Sequence, residues 1–391
     1  VLQAVYFCFF MAVGVSMPFL PPYLRDLGLG GREMATVLAI PPALNLVVPL
    51  AWAWLADRTR THARVLQVVC LGAAIGFSSL LGARRFPALF VGYAAYAVFG
   101  VGIGGLVDSL TIARVRAQPA ADYGRIRAWG SVGFVIASIG AGLLLTARGG
   151  RLADPLVPAL MVAALAATFL SSLRIRGSGE RGARPRWSDV RALLRDRPLR
   201  LLLAVAPLHW MSSGPYNILF GIFVRDHRLS PAVVGLAFAV GVGAEVLVLL
   251  GFRRLHRRFS LETLLAVAFA GTAVRWLLVS RAEATAAVIG LQSLHGLTFG
   301  LFWGAGIARV ADRVPAALRA TGQALFVTTL GVGNVCGYLA SGAIYDAGGG
   351  VAPAFLAAAA LELVPLGLVL AAAARARRAA QPPPAAATGG G

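Results

Sequence analysis

Twelve long apolar runs alternate with short polar connections, at approximately 1–24, 34–55, 65–83, 88–112, 128–147, 156–173, 199–224, 232–252, 261–280, 286–308, 324–345 and 354–374. Each is near the roughly 20 residues that a helix needs to cross a hydrocarbon core. With no water there to take up its N–H and C=O groups, a backbone run of this length must satisfy itself as a helix. The pattern predicts an all-α integral membrane protein of twelve transmembrane helices. The first run has no basic leader and no small-residue cleavage site, so it reads as a span and not as a signal peptide, with a trimmed start in place of an initiator methionine.

The polar positions supply the orientation. One set of alternate connections, with the tail, holds 26 arginines; the other holds 9, and Arg275 alone falls in the interior of a run. The positive-inside rule puts the richer set and both termini in the cytoplasm of a bacterial-type inner membrane. The central segment "RIRGSGERGARPRWSDVRALLRDRP" divides the runs six to six. Within it, "WSDVRALLRD" has the pattern of a short amphipathic helix lying on the membrane surface, in what is mainly a basic interfacial linker. The expected organisation is an N-terminal six-helix bundle (1–173), a cytoplasmic central loop (174–198), a C-terminal six-helix bundle (199–374) and a low-complexity, disordered tail (375–391).

Composition narrows the picture. The 391 residues are 58% hydrophobic and 13% charged, with a net charge of +20, and the mean hydropathy is +0.76. Such a charge would suggest a nucleic-acid partner were it gathered on a folded polar surface. Here it is spread between apolar runs, so topology accounts for it and the bilayer is the partner, with some attraction to anionic lipid. All basic residues are arginine, which reads as compositional bias. Cys8, Cys70 and Cys336 lie in apolar stretches and read as buried free thiols, spaced for neither a disulfide framework nor a metal. No His-Glu-x-x-His, Gly-x-Ser-x-Gly or Cys/His cluster points to an enzyme, and no cofactor is implied; a monomer is the expected state.

A shift of 200 positions brings the halves into register: "VSMPFLPPYLRDLGL" lies against "PYNILFGIFVRDHRL", Gly14 against Gly214, Arg25-Asp26 against Arg225-Asp226 and Asn45 against Glu245. Parallel repeats of this kind are a recurrent build of secondary transporters, whose site lies between the halves near the midplane.

At these residues the chain resembles the major facilitator superfamily. "WAWLADRTRTHAR" is similar to that superfamily's Gly-x-x-x-Asp-Arg-x-Gly-Arg-Arg loop, keeping Asp57 and Arg58 but not the first glycine or the later Gly-Arg-Arg. "DYGRIRAWGSVGF", "LHWMSSGPY", "VGAEVLVLL", "AVRWLL" and "LHGLTFGLFWGA" resemble the phenylpropionate-permease group, itself similar to oligosaccharide and nucleoside proton symporters. The resemblance implies two pseudo-symmetric six-helix bundles and a coupling network of an acid, an arginine and a histidine in spans eight to ten: Glu245, Arg275 and His295.

The residues support that assignment independently. An ionisable group in mid-bilayer costs a few to more than ten kcal/mol, so each calls for a partner or a purpose. Burial favours a neutral carboxyl and a neighbouring guanidinium favours the carboxylate, so opening or closing a Glu245–Arg275 pair would switch its proton affinity. A static structural cluster is the alternative. Gln292, His295, Phe299 and Trp303 share one face of a regular helix. They make a pocket wall with His209, Tyr216 and Asn217; Trp210 and Phe302 lie in the same segments, and Asn45 offers either a substrate contact or an interhelical hydrogen bond. Asp108 is expected to pair with Arg125 or Arg127, either structurally or at a gate, and Glu362 has no assigned role. The expected activity is alternating-access symport of protons with an aromatic or aryl-alkyl carboxylate. A sugar or nucleoside symporter, or an exporter of hydrophobic compounds, is the alternative.

Overall fold

The computed structural model describes residues 1–118, 120–177, 187–315, 318–348 and 350–379. Twelve helical spans follow one another: α1 Leu2–Asp26, α2 Gly31–Thr59, α3 His62–Leu81, α4 Phe86–Ala117, α5 Tyr123–Ala147, α6 Leu156–Ser172, α7 in two pieces (Arg197–Ser212 and Gly214–Asp226), α8 Pro231–Arg258, α9 Leu261–Val279, α10 Thr285–Arg313, α11 Arg319–Asp346 and α12 Ala352–Ala379. Among the described residues, ten are long and apolar enough as single helices to cross a membrane. Of the other two, α6 is a 17-residue apolar helix, and α7 turns at Ser213, where the Gly214-Pro215 pair starts a new segment because proline cannot donate to the preceding turn. Pro41, Pro42 and Pro49 likewise divide α2, leaving Asn45 at a C-cap.

The repeat is visible in the packing. A Cβ on Gly14 of α1 would lie 2.5 Å from the Phe134 carbonyl oxygen of α5, and one on Gly214 of α7 would overlap the Gly337 carbonyl of α11. First and fifth helices of each half therefore cross at backbone contact, which only glycine permits.

The connections alternate between an arginine-rich and an arginine-poor face. At the arginine-poor face the halves are bonded together. Arg225 pairs with Asp26, the Arg25 Nε–H donates to the Tyr345 hydroxyl at 3.1 Å, and Asp346 of α11 accepts the Gly31 and Arg32 amides of α2 at 2.6 and 2.8 Å. In the equivalent seam the Thr146 hydroxyl of α5 accepts the Ala232 amide of α8 at 3.1 Å. One hydrophobic cluster accordingly runs through the N-terminal half into Tyr216–Val224 and Val233–Phe238. The arginine-rich end of the C-terminal half has a core of its own, around Leu202, Phe269, Phe302 and Phe326. In the α5–α6 connection, outside the spans, the Arg148 hydrogen bond at 2.9 Å holds the Asp154 carboxyl below its ordinary range.

Three sequence expectations change. The central segment does form a short helix, Trp187–Leu193, but Leu193 is buried against the second core, so the helix is docked on protein; residues 178–186 lie outside the described set. The tail begins as a continuation of α12 to Ala379, with the rest outside the described residues. Cys70 is buried, but Cys8 is half-buried and Cys336 is exposed on the outer surface of α11.

Candidate functional site

A cavity of about 390 Å³ lies between the halves at mid-depth. The N-terminal half contributes Phe10, Val13 and Met17 from α1 and Arg127, Ser131 and Phe134 from α5; α7 to α11 supply the opposite wall. About one turn closer to the arginine-poor face the helices touch: a Cβ on Gly221 would meet the Pro18 carbonyl at 2.8 Å, and one on Gly235 would overlap that of Ser138. The cavity is thus closed on that side.

The C-terminal wall is organised by α10, which is not a regular helix. After Thr285–Gly290 it tightens to a 3₁₀ turn at Leu291–Leu294, widens to a π turn at Gly296–Leu301 and resumes as α at Phe302. A Cβ on Gly296 would sit 2.9 Å from the Ala244 oxygen, so α10 approaches α8 to backbone distance here. His295, Phe299 and Trp303 stack, with centroids 5.6 Å apart in both steps and interplanar angles of 27° and 13°. Residues four apart share a face in a regular helix as well; what the π turn changes is the direction in which Phe299 and Trp303 face relative to the helix before it.

Arg275 is fully buried. Its Nη2 donates to Gln292 Oε1 at 2.6 Å and its Nη1 to His295 Nδ1 at 3.0 Å. The guanidinium also lies over the Tyr216 and Trp276 rings, 4.5 and 4.4 Å from their centroids. Because arginine only donates, Nδ1 of His295 must be the unprotonated nitrogen, and the neutral imidazole carries its proton on Nε2. That nitrogen faces Glu245, 3.7 Å from Oε2. The expected direct Glu245–Arg275 pair is therefore replaced by a series in which His295 stands between them. A doubly protonated His295 would have to give up the Arg275 bond.

Arg127 reaches the cavity from the other half, its guanidinium 4.1 Å from the Phe10 ring centroid. It is near enough to Glu245 to interact electrostatically. Asn217 and Tyr338 face the cavity together, and Asn334 presents a buried amide oxygen with no hydrogen-bond partner. The chamber is aromatic, with Phe10, Phe134, Trp210, Phe238, Trp276 and Phe299 around Arg127, Arg275 and Glu245.

This arrangement can be set beside known proteins. The MFS_1 like family matches residues 1–357. The chain belongs to the major facilitator superfamily. This facilitator is 30% identical over 345 residues to the maltose permease of Geobacillus stearothermophilus, covering 85% of this chain and 83% of that one. It is 28% identical to the probable 3-phenylpropionic acid transporter of Escherichia coli (strain K12), covering 79% and 81%. Among solved structures, the nucleoside transporter NupG superposes with a TM-score of 0.83 at 18% identity, over 95% of this chain and 97% of that one, which speaks to the fold alone.

Within this facilitator, Tyr216, Asn217, Glu245, Arg275, His295 and Phe299 line the cavity. Gln292 and His209 are fully buried behind its wall, Trp303 stacks beneath Phe299, and Asn45 is exposed on α2. Of the expected ion pairs, Asp57 meets His62 at 3.2 Å and Arg58 lies over Trp54. Asp108 accepts the hydroxyls of Tyr6 and, at 3.0 Å, Tyr123. Of the expected partners, Arg127 stacks on Phe10, and of Arg125 it is the backbone amide that bonds a carboxylate, that of Asp122. Tyrosines reach Asp108 because α1 and α5 cross beside it, a tertiary fact that spacing does not carry. The cavity roles of Arg127, Trp276 and Tyr338 went unread. For Arg127 a signal existed, since "RIRAWG" sets an arginine at the very edge of an apolar run.

Proposed function

We propose that this transporter is a proton-coupled symporter of an aromatic or aryl-alkyl carboxylate, in the inner membrane of a bacterial-type cell, with its arginine-rich face and both termini in the cytoplasm. The observation that carries the reading is that Arg127 of one half and Glu245 of the other line opposite walls of one aromatic chamber with Arg275 at its side. An aryl ring finds apolar and aromatic walls there, and a carboxylate finds guanidinium donors.

The coupling follows from competition. While Glu245 is ionised it answers the charge of Arg127; once protonated it no longer does, and Arg127 is free for the substrate carboxylate. Substrate anion and proton therefore load together, leaving the charge of the chamber as it was. His295 relays between Glu245 and Arg275 through its two ring nitrogens. The halves then exchange access, which requires breaking the bonds now made at the arginine-poor face.

The test is thermal shift of the purified protein with 3-phenylpropionate, 3-phenylpropionamide, maltose and uridine. The acid alone should stabilise, more at pH 6 than at pH 8, and the acid should drive proton uptake into proteoliposomes. A shift with maltose or uridine only would favour sugar or nucleoside transport instead. The similarity to maltose permease and the amides of Asn217 and Asn334 at the cavity support that second reading.

A further inference from the structure

Behind the cavity wall lies a buried polar unit that the coupling scheme does not use. His209 of α7 and Glu362 of α12 are both completely buried, with Nδ1 2.8 Å from Oε1. The Ser212 hydroxyl also reaches that carboxyl oxygen. On its other side, His209 Nε2 lies 2.8 Å from the backbone oxygen of Thr298, inside the π turn of α10. A carbonyl can only accept, so Nε2 carries a proton, and Nδ1 and Oε1 share the next one between them. The Phe302 ring packs against the imidazole, with centroids 4.1 Å apart and planes tilted by 40°.

The Thr298 carbonyl has a specific need. In a regular α-helix it would accept the Phe302 amide, but that amide bonds the Phe299 oxygen instead. A buried carbonyl whose α-helical donor is diverted is better satisfied when a side-chain donor reaches it. His209 is that donor.

We propose that His209, oriented by Glu362 and Ser212, is a positioning residue of the cavity: its Nε2–H holds the Thr298 carbonyl and so sustains the π turn that sets how Phe299 and Trp303 face relative to His295. Without it, α10 recovers its bond to Phe302 by reverting to a regular helix, which turns Phe299 and Trp303 about the helix axis relative to His295. The binding consequence rests on the proposed carboxylate reading; the backbone consequence does not.

The experiment is hydrogen–deuterium exchange on the full-length protein in detergent, read in peptides covering 291–303, beside the affinity for 3-phenylpropionate. In His209→Leu, exchange in this segment alone should change, by about 10-fold, and affinity should fall by about the same factor, the worth of one hydrogen bond of this kind. His209→Gln, whose amide reaches the Nε2 position, should restore both to within about 3-fold, as should Glu362→Gln, whose amide N–H can donate to Nδ1 and keep Nε2–H toward Thr298. A merely structural histidine would lower the melting temperature with equal exchange changes throughout α7 and α12, and Leu and Gln would then behave alike; that result overturns the proposal. Should His209→Leu fail to fold, Glu362→Leu is expected to show the same segment-specific exchange, and unchanged exchange there overturns it equally. If the wild type binds no 3-phenylpropionate, the carboxylate reading falls while exchange still decides the role of His209.

Discussion

The two halves share a backbone plan but keep their charge in different places. Gly14 against Phe134 and Gly214 against Gly337 are the same crossing made twice. Yet where the C-terminal half has Glu245 beside His295, the N-terminal half has Asn45, exposed on a proline-divided helix. The N-terminal half gives the cavity one charge, Arg127, while the C-terminal half supplies Glu245, Arg275 and His295 and, behind them, His209 with Glu362. A scaffold that rocks needs matching crossings on both sides. The proposed coupling needs the opposite: proton-bearing groups gathered in one body, so that their mutual bonds survive the motion and only the charge interaction with Arg127 is remade.

The sharpest break of this comparison is Glu245→Gln. It keeps the volume and removes the proton-exchanging group, so accumulation driven by a proton gradient should fall more than about 100-fold, while substrate counterflow, which needs no net proton movement, continues. Accumulation that persists in this variant would remove Glu245 from the coupling role. Asn45→Asp, which places a carboxyl at the repeat-related position, should not rescue it.

The scaffold side of the comparison is tested by Gly14→Val and Gly214→Val. Both insert atoms where the neighbouring backbone already sits at 2.5 Å or less, so each should destabilise by about 3 kcal/mol, the upper range for overpacking. Melting curves in detergent should show similar losses for the two. A large loss for one and none for the other would mean that the crossings are not equivalent.

Next in size is Arg127→Gln. Losing the one N-terminal charge in the chamber should weaken 3-phenylpropionate by about 10- to 100-fold, the worth of a charge-assisted hydrogen bond, and leave its amide nearly unaffected. His295→Ala should weaken the acid less, because in the neutral imidazole only Nε2 can donate. Equal losses for acid and amide in both variants would argue against a carboxylate site.

Much of this was legible from the chain. Spans, the arginine asymmetry and the 200-residue register follow from hydropathy and spacing, which are local properties. Glu245, Arg275 and His295 stand out because an ionisable side chain within a run is rare enough to mark itself. What could not be read depends on a neighbour. The π turn of α10 is set by its approach to α8 at Gly296 and by a donor on α7, so a regular helical face placed Gln292 on the cavity when it is in fact buried against Arg275. Glu362 had no visible partner because His209 lies 153 positions away. Cys336 was misplaced for a different reason: lipid is as apolar as a protein core, so hydropathy does not separate an outward position from an inward one.

The smallest effect is expected where the halves differ most subtly, at their two seams. Asp346 caps the N-terminus of α2 with a carboxylate, and Thr146 caps that of α8 with a hydroxyl, from repeat-related helices. A carboxylate at a helix N-terminus contributes about 1 kcal/mol where it is partly exposed, through both the amide bonds and the dipole; a neutral hydroxyl lacks the second part. Asp346→Ala should therefore loosen the α2–α11 seam and raise the population open to the arginine-poor side by about 5-fold. Thr146→Ala should raise it by about 2-fold. Labelling of a cysteine introduced at Asn217 by a membrane-impermeant maleimide, added from the arginine-poor side, measures both. If Thr146→Ala opens the cavity as far as Asp346→Ala does, the charge on α11 adds nothing to the seam, and the asymmetry between the halves is confined to the cavity.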